Sequence, residues 1–146
     1  MTSAEASDRR FQVLPDAQAV ATEAAAHLIS RIAENQMRPA ICLTGGSGPK
    51  ALYALLGSSD YRSRIAWDRV RWFIGDERFV SADDPRNNMA TAKAIFLDRC
   101  APQGNIHPIP TDAADPDKAA RLYERELQTF YGARDLDAAR PLFDLV

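Results

Sequence analysis

The sequence predicts an α/β protein whose parallel sheet is covered by helices on both faces, a three-layer α/β/α arrangement. Three observations carry that prediction. Two short apolar runs, Ala40 to Thr44 and Val70 to Ile74, have the length and composition of buried strands. Stretches with helical spacing lie before, between and after them. Each run also opens directly into a turn, glycine-rich after the first and acidic after the second. Ligands of such sheets settle beyond the carboxyl ends of the strands. If the two strands are parallel neighbours, the two turns share one rim and form one candidate site.

Taken in order, residues 1–9 read as a polar tail and 10–146 as a single domain. Arg10-Phe11-Gln12-Val13-Leu14 reads as a brief strand. Asp16 then caps a long helix with Ala19, Val20, Ala24, Leu28, Ile32 and Ala33 in helical spacing, ended by Met37-Arg38-Pro39. After the first strand and its glycine turn, Pro49 suits a first helical turn, where its missing N–H costs nothing. Ala51, Leu52, Ala54 and Leu55 make an apolar face, and Gly57 closes that helix. Beyond the second strand and Gly75-Asp76-Glu77-Arg78, a helix from about Asn88 to Arg99 turns Met89, Ala92, Ile95 and Phe96 inward. Asn105-Ile106-His107-Pro108-Ile109 reads as an extended edge piece, because proline cannot donate to a ladder. Asp115-Pro116 opens a further helix containing Leu122, Leu127 and Phe130, and Pro141 to Val146 begins like a buried strand.

Bulk properties narrow the function classes. The chain has 146 residues, 46% hydrophobic and 26% charged, with net charge −2, so it lacks the basic footprint of a nucleic-acid or membrane-surface binder. No run approaches the length of a membrane span. The two cysteines, Cys42 and Cys100, stand at no metal-ligand spacing and read as small buried hydrophobes, which implies a reducing cytoplasm. No metal or cofactor is implied.

The glycine turn, Thr44-Gly45-Gly46-Ser47-Gly48-Pro49-Lys50, offers backbone N–H groups to an anion, most often a phosphate. It fails the Walker A pattern, because Pro49-Lys50-Ala51 stands where Gly-Lys-Ser/Thr is needed. Gly46, Gly48 and Ala51 do fit G-x-G-x-x-A, but the acidic residue that a dinucleotide site requires about 20 positions on has only the late Asp76 to fill it.

These residues resemble the 6-phosphogluconolactonase family. Leu43-Thr44-Gly45-Gly46-Ser47-Gly48-Pro49, with Leu52-Tyr53 and Leu55-Leu56, is similar to its first motif. Trp67, Val70, Asp76-Glu77-Arg78-Phe79-Val80 and Asp84-Pro85-Arg86-Asn87-Asn88 are similar to its second, and Asn105-Ile106-His107 fits the next segment. Ser81, Asn87 and Gly48 depart from the usual proline, serine and threonine. The resemblance implies the fold of the sugar-phosphate isomerases and 6-phosphogluconolactonases. It also implies hydrolysis of 6-phosphogluconolactone in the cytosolic pentose phosphate route, without a metal and with a small sugar phosphate as the partner. The family continues past an F-D-L-V-like strand into a histidine loop held to be catalytic, whereas Phe143-Asp144-Leu145-Val146 ends this sequence. A fold incomplete at the C-terminus is therefore the expectation. An amino-sugar-phosphate isomerase or deaminase of the same superfamily is the related alternative, though those generally carry D-E-Y where this chain has Arg78; a non-catalytic sugar-phosphate-binding fragment or paralogue is the alternative of a different class.

The expected phosphate and substrate contacts are Thr44, Gly45, Gly46, Ser47, Arg78 and Asn88, and the expected catalytic residues are Asp76 and Arg78. Arg78 offers a forked, permanently charged contact, and Asp76 can orient a water. Structural roles stand beside these: Asp76 and Arg78 pairing with each other, Glu77 as a structural or solvated carboxylate, Asn87 and Asn88 as turn and cap residues, Lys50 and Arg86 as solvated charges with steering of the phosphate as their functional alternative. His27 and His107 are expected to be structural, so neither is assigned as a base.

Overall fold

The computed structural model describes residues 10–146. Strand β1 (Ala40–Leu43) pairs in parallel with β2 (Arg71–Ile74), Ala40 standing opposite Arg71 and Leu43 opposite Ile74. A two-residue β3 (Ile106–His107) continues the sheet in parallel on the far side of β2. Every residue of β1 is buried, and so are the last three of β2, as expected for a parallel sheet covered on both faces.

Helix α1 (Ala17–Glu34) leads into β1, and α2 (Lys50–Leu56) with the short α3 (Ser59–Arg62) crosses to β2. The return to β3 runs through α4 (Asn88–Ala92), a π-helical turn (Lys93–Leu97) and α5 (Asp98–Cys100). Helix α6 (Pro116–Tyr131) follows β3. Successive strand residues point to opposite faces, and two neighbours in β2 display the layers. Trp72 meets Phe96 edge-on at 5.5 Å and stacks with Trp67, while Tyr53 of α2 stacks on Phe96 at 5.1 Å. Phe73 faces the other way, stacking on His107 at 4.5 Å and packing against Phe130 of α6 and Phe143. Such ring pairs are worth about 0.5–1.5 kcal/mol each beyond their buried area.

The caps behave as the sequence predicts. Asp16 accepts from Ala19 N–H at 2.8 Å and Asp115 from Lys118 N–H at 2.7 Å, each taking up an orphan donor of a first turn. Four expectations are corrected. Residues 10–14 form no strand: Phe11 and Val13 are more than nine-tenths exposed, because alternation alone provides no partner to pair with. The buried face of α1 is Ala21, Ala25, Leu28 and Ile32, rotated from the expected set, so Val20 and Ala33 lie exposed. The helix after Asn88 gains one residue at its π turn, which buries Leu97 beside Phe96 and leaves Ile95 half-buried. Gly57 does end α2, but with right-handed torsions. A Cβ there would stand 2.9 Å from the Phe96 Cβ, so its role is close approach rather than a left-handed cap. The polar tail 1–9 lies outside the described residues.

The apolar stretch at 142–145 joins the sheet on the open side of β1. Cys42 N–H donates to Leu145 C=O at 2.9 Å, and Asp144 N–H donates to Ala40 C=O at 2.8 Å. Alternate residues of β1 thus serve β2 and this stretch, which places β1 in the interior of the sheet. The Asp144 carboxylate accepts from Ala40 N–H at 2.8 Å and from the Asn35 amide at 3.1 Å.

Candidate functional site

Parallel pairing brings both strand-end turns to one rim, where Gly75 N–H donates to Leu43 C=O at 3.0 Å. Between the turns lies a cleft of about 360 Å³ lined by Thr44, Gly45, Gly46, Ser47, Lys50, Tyr53, Arg78, Pro85, Arg86, Asn88 and Thr91. Every substrate-contact residue expected from the sequence is in that lining. Asp76 is outside it but one step away: its carboxylate lies 3.7 Å from the Arg78 guanidinium, both side chains being about two-thirds exposed.

The glycine turn is shaped by tertiary contacts. Tyr53 donates its hydroxyl to Thr44 C=O at 2.6 Å and accepts from Thr44 N–H at 3.1 Å, pinning the chain where β1 ends. Burial pushes the Tyr53 phenol above its usual range, so it stays protonated and keeps that donor. Gly46 has φ +86°, a left-handed conformation that a glycine adopts without strain. A Cβ on Gly45 would overlap the Asn88 carboxamide, so this glycine is what lets the two turns touch. The N–H groups of Gly45, Gly46 and Ser47 donate to no group among the described residues. Successive free amides around a left-handed residue form an anion-binding concavity.

The second turn is held by side chains. Glu77, assigned no role beyond a structural one, accepts from the N–H groups of Arg78 at 2.8 Å, Met89 at 3.0 Å and Asn88. It therefore fixes the start of α4 against the turn. Asn87 caps the same helix, accepting from Ala90 N–H at 2.9 Å. Asn88 donates through Nδ2 to Asp76 C=O at 3.1 Å and lies 3.4 Å from the Asp76 carboxylate. Arg86 grips Asp84 with Nε at 3.0 Å and Nη2 at 2.8 Å, and this guanidinium contact holds the Asp84 carboxyl down at about 2.

Neither histidine reaches the cleft. His27 lies on α1, 3.2 Å from Glu23, and His107 is sandwiched against Phe73 with Nδ1 on Glu126. Burial, with a smaller contribution from Asp76, raises the Cys42 thiol above its usual range and keeps it protonated. Among the described residues no cluster of histidine, cysteine and carboxylate side chains could hold a metal ion, and no helix is long and apolar enough to cross a membrane. A second hollow of about 520 Å³ opens on the α6 side of Glu77, lined by Phe79, Ile109, Tyr123, Leu127, Glu124 and Arg121 among others. Its walls are mostly apolar and it holds two carboxylates, Glu77 and Glu124, against the single cation Arg121, which suits an anion poorly. Glu77 is the structural carboxylate the sequence suggests, and Lys50 and Arg86 line the cleft; what sequence reasoning missed is Tyr53 as the anchor and the amides that Glu77 holds. A tyrosine nine positions beyond Thr44 was the one signal in plain view.

The family model for glucosamine-6-phosphate isomerases/6-phosphogluconolactonase matches residues 15–146. The chain belongs to that family. It is 44% identical over 108 residues to a 6-phosphogluconolactonase of Synechocystis, covering 73% of this chain and 42% of that protein. With a Nostoc 6-phosphogluconolactonase it shares 36% identity over 129 residues, covering 86% and 52%. The crystal structure of the devB protein superposes with TM-score 0.78 at 29% identity, over 92% of this chain and 55% of that one. The 6-phosphogluconolactonase from Trypanosoma cruzi gives 0.71 at 26%, over 86% and 52%. The chain thus spans about half the length of the curated relatives it matches. A monomeric glucosamine-6-phosphate deaminase, at 18% identity and TM-score 0.72, shares the fold.

Proposed function

We propose that this chain carries the sugar-phosphate cradle of a 6-phosphogluconolactonase, which adds water to 6-phospho-D-glucono-1,5-lactone and releases 6-phospho-D-gluconate. The carrying observation is the charge of the cleft. Lys50, Arg78 and Arg86 line it and no carboxylate does, the carboxylates paired with Arg78 and Arg86 standing outside the lining, although the chain as a whole is at −2. Beside those cations stand the free N–H groups of Gly45, Gly46 and Ser47. Fixed amides and permanent cations are the two means by which proteins hold a phosphate.

In this reading the glycine turn and Ser47 hold the phosphate, and Arg78 adds a forked contact. Thr44 sets the depth of the cleft through its bonds to Tyr53. Asn88 holds the Asp76 carboxylate at the rim, where it orients the attacking water. The cytoplasm is the setting this function implies, consistent with two free cysteines.

The test is hydrolysis of freshly made 6-phosphoglucono-δ-lactone by the 146-residue chain, read against spontaneous opening, together with calorimetric binding of 6-phosphogluconate. Binding with acceleration supports the lactonase reading and puts the base within these residues. Failure to bind 6-phosphogluconate overturns the cradle. A second reading, binding without turnover, is favoured by one observation: neither histidine faces the cleft. Binding with no acceleration selects it.

A further inference from the structure

We propose that Lys50 makes the leading charge-assisted contact to the substrate phosphate, ahead of Arg78. The inference rests on the cradle reading above and assigns the anchor within it. Of the three cations lining the cleft, two are already committed. Arg86 is forked onto Asp84, and its own backbone N–H adds a third bond to the same carboxylate at 2.8 Å. An anion approaching it meets a neutralised pair and must break three bonds to displace the partner. Arg78 shares its charge with Asp76 at 3.7 Å. Lys50 forms no ion pair with any carboxylate of the described residues.

Its place in the chain argues the same way. Lys50 follows the glycine turn directly, its N–H bonded back to Ser47 C=O at 3.3 Å, so its side chain springs from the segment that carries the free amides. The fold gains nothing from a cation there. Helix α2 has no acidic residue in its first turn to pair with it, and a positive charge at that end opposes the helix dipole. A compact ammonium with no competing partner, facing a dianionic phosphate, has the largest uncompensated attraction in the cleft.

The experiment is titration calorimetry of the 146-residue chain and its Lys50→Met, Lys50→Arg and Arg78→Met variants with 6-phosphogluconate, with inorganic phosphate as a second probe. Lys50 is exposed, so thermal melts of its variants should overlay the unaltered chain. The expected result is a loss of about tenfold or more in 6-phosphogluconate affinity for Lys50→Met, a parallel loss for phosphate, and near-full retention for Lys50→Arg. Arg78→Met should lose less. A Lys50→Met effect no larger than that of Arg78→Met overturns the assignment and leaves the cradle standing. An unaltered chain that binds neither probe overturns the cradle and this inference together.

Discussion

At the end of β1 the Tyr53 hydroxyl bridges both backbone groups of Thr44, and at the end of β2 the Tyr123 hydroxyl bridges both of Ile74, with each of those bonds at 3.0 Å. The anchors are alike and the turns beyond them are not. After Thr44 the chain has glycines, open amides and no side-chain bonds; after Ile74 the Glu77 carboxylate accepts from the first amides of α4, and the Asn88 carboxamide donates to the Asp76 carbonyl, binding α4 in place. One turn keeps its donors available because its shape is set from behind by Tyr53 and from the side by Asn88. The other commits its acceptors, the Glu77 carboxylate and the Asp76 carbonyl, to α4 and becomes the wall against which the first is set. A ligand cradle needs both kinds of turn: free amides stay in position only when something else supplies the rigidity.

The contrast can be broken at four points, in decreasing order of expected effect. The Ile74 groups are buried and lie beyond the reach of the two-residue β3, so Tyr123 completes the ladder there; those of Thr44 are only partly buried. Tyr123→Phe should therefore cost about 3 kcal/mol and Tyr53→Phe about 1 kcal/mol, read from urea midpoints, since buried unpaired groups bear the full desolvation penalty. Equal losses would show that the two anchors do not differ. Next, Glu77→Ala should destabilise by about 2 kcal/mol and Glu77→Gln by roughly half of that, because one amide oxygen still accepts. A smaller loss of about 1–2 kcal/mol is expected for Gly45→Ala, which pushes Asn88 out of its seat, against none for Gly48→Ala, whose Cβ would enter open space. Amide chemical shifts of Asp76 should move in the first variant and stay fixed in the second.

The smallest effect is an acid titration. Hydrogen bonds from Arg86 lower the Asp84 carboxyl from 3.8 to about 2. A depressed carboxylate contributes its stabilisation above its ordinary value and loses it as pH falls through the lowered one. The carboxyl resonance of Asp84 should thus titrate near pH 2, and Arg86→Gln should return it to the ordinary range. A midpoint near 3.8 in the unaltered chain would mean the fork is not kept in solution.

How much of this was readable depends on how far apart the interacting residues lie. Asp16 and Asp115 act on amides three residues away, so both caps stood out. The strands and their shared rim followed from apolar runs ending in turns. The face of α1 differs from the expected one because alanine is equally at home on either side of a helix, and tertiary packing buries Ala21 and Ala25. The π turn was invisible because an inserted residue leaves the composition of a helix unchanged. Glu77 and Tyr123 were illegible for a stronger reason: their partners are backbone groups 11 to 49 residues away, and a backbone group has no sequence signature.

The two flanks of β1 have very different histories as the chain condenses. The register with β2 closes a segment of about 30 residues, whereas the clip at Asp144 closes one of 104. Chain entropy charges the longer closure roughly 1 kcal/mol more. Chain entropy alone therefore favours closing β1 onto β2, and with it the cleft, ahead of the second flank. Asp144, holding Ala40 and Asn35 with one carboxylate, then acts as a late latch. Amide hydrogen exchange should record that sequence, with Cys42 opening toward Leu145 more readily than the amides between β1 and β2.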